Sequence, residues 1–82
     1  MFKIPKAQQQ LYEAAVYNRS VRELVKSNRS HPLLDDRWAD VHIFEVPAGS
    51  EDEARKILAR RYSPELGFIV EVVIPARFSA AA

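Results

Sequence analysis

Cysteine is missing from this chain altogether. Disulfides, zinc–thiolate sites and thiol nucleophiles are therefore excluded, and the composition fits a reducing compartment. Glycine is nearly as scarce: Gly49 and Gly67 are the two present, and they form no phosphate-cradling loop. Ala48-Gly49-Ser50 reads as a strand-to-helix turn, and the acids that follow it, Glu51, Asp52 and Glu53, repel phosphate from that helix start. No run approaches the roughly 20 apolar residues a membrane span needs. The first ten residues, MFKIPKAQQQ, have no apolar h-region, so the start reads as native and unprocessed. An excess of either charge is missing too. Twelve Lys and Arg against eleven Asp and Glu leave a formal net charge of +1, so the chain as a whole exerts no strong pull on nucleic acid or acidic membranes. These absences lead us to expect a cytoplasmic protein, not associated with a membrane and without a cofactor.

What is present points to one small folded domain. A chain of 82 residues has no room for a second domain. It buries only about 60–65% of its unfolded surface, which leaves a small stability margin. Apolar residues make up 48% of the sequence, enough to set it apart from disordered chains. We expect a single domain over residues 1–78 and a frayed tail over 79–82.

The most legible stretch runs from Val41 to Ile74. VHIFEV and FIVEVVI are rich in Val, Ile and Phe and are bounded by Pro or Gly, which predicts two strands. Between them, Ser50 stands three residues before Glu53, the spacing of a capping box. Glu51, Asp52 and Glu53 at one end and Arg60 and Arg61 at the other complement a helix dipole. Strand, helix and strand in this order predict a right-handed β-α-β unit whose two strands pair in parallel.

Upstream, Leu11, Ala14, Tyr17, Val21, Leu24 and Val25 recur near helical spacing and predict a long helix from Lys6 to about Ser27, with Asn28 as its left-handed terminator. Phe2–Ile4 is a candidate short strand before it, and Leu33 and Leu34 are expected to tuck a loop against the core. The resulting fold class is a small α/β or α+β domain: a long N-terminal helix, then the β-α-β unit on a small, mainly parallel sheet, in the order α-β-α-β.

Two constellations are candidates for chemistry. Asp40 and His42 stand two apart on a strand, and so share a face. That geometry suits acid–base work or a pair of metal ligands, but a site needs a third group that the sequence does not identify, and the plainer reading is an edge-strand histidine beside a carboxylate. Arg19, Arg22, Lys26 and Arg29 fall at spacings of three, four and three along the expected first helix. Such a basic stripe can track a phosphate backbone, or simply form a solvated face. Glu45 and Glu71 each interrupt an otherwise apolar strand.

The functional expectation is a binding protein without catalysis that acts through a protein–protein surface, as a homodimer. Both expected strands carry apolar residues on both faces, and a two-stranded sheet exposes two unpaired edges. A second copy is the simplest cover. The alternatives are a nucleic-acid-associated protein using the basic stripe and an enzyme or metal site built on Asp40 and His42.

Overall fold

A computed structural model describes residues 9–76; the candidate strand at Phe2–Ile4 and the tail over 79–82 lie outside the described residues. Along the chain stand β1 (Gln10–Asn18), α1 (Arg19–Lys26), a 3-10 turn (Asp36–Ala39), β2 (His42–Ala48), α2 (Glu51–Arg61), a second 3-10 turn (Pro64–Leu66) and β3 (Phe68–Pro75).

The expected long helix is thus two elements, and its first half is a strand. Tyr12, Ala14, Val16 and Asn18 are buried while the residues between them are half-exposed, a period of two that only a strand produces. Tyr and Val suit a pleated surface, and β1 has a pairing partner on each side. Packing of that kind overrides the helical preference of Ala and Glu. Asn18 marks the change. Its side-chain oxygen accepts from the Val21 N–H at 2.9 Å, which caps α1. Asn28 sits at φ 58° after the helix, and the Arg29 N–H returns to the Leu24 carbonyl at 2.8 Å, a left-handed termination.

With β1 in place the sheet changes character. The strand order is β2-β1-β3, and both pairings are antiparallel. The expected mainly parallel sheet with the two later strands side by side is therefore incorrect. β2 and β3 point the same way, since each opposes β1, but β1 lies between them. α2 carries the chain over β1 from one edge strand to the other. The edges lie about 10 Å apart, a gap that a helix of 11 residues, about 16 Å long, easily bridges.

A bulge sets which side chains of β3 face which way. Ala15 pairs with Val72 but Val16 pairs with Val70, so Glu71 is an extra residue without a partner. Strict alternation would put Phe68, Val70, Val72 and Ile74 on one face, and the bulge splits them. Phe68, Val70 and Val73 share the helix side with Ala14 and Val16, while Ile69, Val72 and Ile74 share the other with Glu13 and Ala15.

α2 packs on the first of these faces. Ala54 and Leu58 are fully buried against Tyr12, Ala14, Val46 and Val73. Its start is set by Ser50, whose hydroxyl accepts from the Glu53 N–H at 3.2 Å, and the Glu53 carboxylate in turn accepts from the Gly49 N–H. Beyond the end of α2, the 3-10 turn lays Trp38 across the same face. Its ring lies 5.0 Å from Phe68, 5.6 Å from Tyr62 and 4.5 Å from His42, centroid to centroid. In the preceding loop Leu34 packs against the core, whereas Leu33 is 81% exposed, contrary to the expectation that both tuck in. The His31 ring explains the turn: Nδ1 accepts from the Leu33 and Leu34 N–H groups at 3.0 and 3.1 Å.

One buried polar residue ties the ends of this layout together. Asn18 is fully buried, and its amide donates to the Leu66 carbonyl at 3.0 Å across 48 positions of sequence. The neighbouring Gly67 adopts φ 97°, where an L side chain is strained, and a Cβ there would stand 2.9 Å from the Asn18 oxygen. Its carbonyl accepts from the Arg19 N–H at 2.8 Å, locking the start of β3 to the end of β1.

Candidate functional site

The structure gives the two residues of the first constellation different roles. Asp40 is exposed and closes the 3-10 turn through its backbone, the N–H donating to the Arg37 carbonyl at 3.1 Å. His42 is half-buried against Trp38, and its Nε2 lies 2.9 Å from that same carbonyl. A carbonyl only accepts, so the proton sits on Nε2. Asp40 through its backbone and His42 through its ring thus serve one turn. Among the described residues no three His, Asp or Glu side chains converge as a metal site would require.

The basic stripe is also divided. α1 has eight residues, so it holds Arg19, Arg22 and Lys26, and Arg29 falls in the loop beyond. Arg19, Lys26 and Arg29 are exposed. Arg22 is not free: its guanidinium lies 3.7 Å over the Tyr17 ring, and Nε donates to the Ala39 carbonyl at 2.8 Å. It fastens α1 to the sheet and to the 3-10 turn.

Two polar features nearby have local explanations. Asp35 accepts from the Arg37 N–H at 2.8 Å and from the Arg37 side chain at 3.3 Å. The backbone donor first, and then the guanidinium, hold its carboxyl below the usual carboxylate value. A shallow depression of about 420 Å³ runs along α2 between Ser50 and Arg60 and mixes Asp52 and Glu53 with Lys56, but among the described residues no buried side-chain polar atom is left without a partner to mark it as a site.

The feature that calls for an explanation is the second face of the sheet, which no described helix covers. β3 contributes Ile69, Val72 and Ile74 to it, and β2 contributes Ile43 and Pro47. Ile43 is 64% exposed, Ile74 49% and Val72 42%. The strip of β1 between them carries Leu11, Ala15 and Tyr17, all half-exposed. An apolar surface of this continuity is uncommon on a soluble monomer, where exposed large apolar residues are usually scattered.

Two carboxylates stand in the middle of that surface. Glu13 of β1 lies directly opposite Glu45 of β2 in the antiparallel register, with Ile74 as its partner on the other side. Like charges directly opposite one another destabilise a sheet, and among the described residues neither has a cation within salt-bridge distance. Among the described residues, Arg22 touches this side at the Tyr17 ring, and Tyr17 stands four residues, about 13 Å, along the strand from Glu13. That is beyond the 8–10 Å over which exposed charges act at ordinary ionic strength. Glu45 stood out in the sequence as an interruption. Glu13 did not, because a helix was expected there.

Comparison with protein-family models, with curated proteins and with solved structures finds no match to the chain.

Proposed function

We propose that the protein is a binding module that acts through a protein–protein surface, and that the surface is the uncovered face of the sheet. The observation that supports this most is the run of exposed Ile43, Val72 and Ile74 across both edge strands. The edges themselves carry the devices that discourage strand addition: Pro47 in β2, Pro75 at the end of β3 and the Glu71 bulge. Guarded edges beside an unguarded face favour docking onto the face.

The absence of native cysteine allows a direct test. Ile43→Cys gives a single site for an environment-sensitive fluorophore in the middle of the β2 side of the face. A saturable blue shift on adding cell extract, removed by Ile74→Asp, supports the reading. A label that stays fully water-exposed in extract and at high protein concentration overturns it.

Self-association is the second reading, favoured by the parts of the outer backbone rows of β2 and β3 that have no partner strand among the described residues and lie outside Pro47, Pro75 and the Glu71 bulge. Sedimentation equilibrium at micromolar concentration tests it. A mass above the 9.4 kDa of one chain that rises with concentration supports a homodimer, and a constant monomer mass rejects it.

A further inference from the structure

The uncovered face has a size and a charge, and together they specify an occupant. We infer that it takes an amphipathic helix from a protein partner, one whose apolar stripe is interrupted by Lys or Arg placed to meet Glu13 and Glu45. This rests on reading that face as the docking surface.

Size comes first. Three strands about 4.8 Å apart and about eight residues long give a footprint of roughly 14 by 26 Å. A stable globular dimer buries about 800 Å² on each partner, which is more than such a patch supplies. A single helix, 10–12 Å across with its side chains, fills the width, and about 17 residues of it fill the length. α2 already covers the other side of the sheet in this manner.

Charge decides between a foreign helix and a second copy. Two copies stacked face to face would stand about 10 Å apart and bring both Glu13–Glu45 pairs into one interface, four carboxylates in all. Within the chain no described cation stands within salt-bridge distance of either carboxylate. Burying like charges without partners is strongly unfavourable. A cationic residue from another protein relieves the repulsion already present between Glu13 and Glu45, and gains a charge-assisted hydrogen bond in doing so. The opposed carboxylates are a local conflict that no described residue of the fold resolves, and conflicts of that kind collect at functional positions.

The test uses two synthetic helical peptides of about 17 residues with the same Leu stripe, one carrying two Lys residues four apart beside the stripe, the other two Glu residues at those positions. Binding to the full chain is followed through backbone amide shifts by NMR. The Lys peptide should perturb Glu13, Ile43, Glu45, Val72 and Ile74, and bind about tenfold or more tighter than the Glu peptide at low salt. Glu13→Lys with Glu45→Lys should reverse the preference between the peptides. Glu13→Gln with Glu45→Gln should remove the preference while leaving the far-UV circular dichroism of the chain unchanged. Equal binding of the two peptides on this face overturns the cationic partner and leaves the docking surface standing. Shifts confined to the α2 side overturn both. A homodimer at neutral pH that Ile43→Asp dissociates places a second copy on the face and also overturns the inference.

Discussion

The two faces of this sheet are built from similar residues and meet different fates. On the helix side β1 presents Tyr12, Ala14, Val16 and Asn18, and on the far side Leu11, Glu13, Ala15 and Tyr17. Both rows contain a tyrosine, an aliphatic residue, an alanine and one polar group. The polar group on the helix side, Asn18, has partners for both its oxygen and its amide. The one on the far side, Glu13, faces another carboxylate. The contrast teaches that hydrophobicity alone does not say which side of a strand is core. The satisfaction of the polar residue does.

Substitutions on each side break or sharpen that contrast. The largest effect belongs to Leu58→Ala, which empties a fully buried site under α2 and should cost about 2–5 kcal/mol. Ile43→Ala across the sheet should stay within about 0.5 kcal/mol, and thermal unfolding of the two variants side by side measures the difference. Asn18→Ala comes next, at about 1–3 kcal/mol, because it leaves the Val21 N–H and the Leu66 carbonyl without their buried partner. Urea unfolding followed by Trp38 fluorescence would register it. Ser50→Ala removes the cap of α2 and should lower the urea midpoint by the equivalent of about 0.5–2 kcal/mol.

The smallest effect has the opposite sign. Glu13→Gln removes the repulsion with Glu45 and should stabilise the isolated chain by about 0.2–1 kcal/mol. The same change should weaken its grip on a cationic helix. A measured destabilisation would mean that Glu13 has a favourable partner, and the reading of this face would lose its electrostatic basis.

The sequence was informative where local chemistry and tertiary environment agreed. Val41–Ile74 announced two strands and a capped helix because Ser50, Glu53 and the β-branched runs each act within a few residues. β1 was concealed because Leu11, Ala14 and Val21 fit a helical stripe while Tyr12, Ala14 and Val16 fit an alternating one. Only partners on both sides decide between them. Asn18, a good capping residue in the middle of the apparent helix, was the available signal. That one misassignment propagated: without β1 the later strands had only each other to pair with, hence the parallel sheet. The Glu71 bulge depends on register and had no local mark. Of the candidate surface, Glu45 and Ile43 were visible as residues, but their neighbourhood with Glu13 is a property of pairing between strands. The Asp40–His42 pair and the basic stripe were visible from spacing alone, and spacing alone did not foresee that His42 and Arg22 are engaged by backbone carbonyls.

The position of β1 also has a consequence for how the chain is made. The central strand is the first of the three to leave the ribosome, and the last strand to leave is one of its two neighbours. Until Leu66, Gly67 and β3 emerge, Asn18 lacks its distant carbonyl partner and one side of β1 stays unzipped. Closing a loop of that length carries an entropic cost of about 3–4 kcal/mol before any contact repays it. The nascent chain therefore gains little from folding piecemeal, and the domain should assemble in one late, cooperative step once its final residues are free.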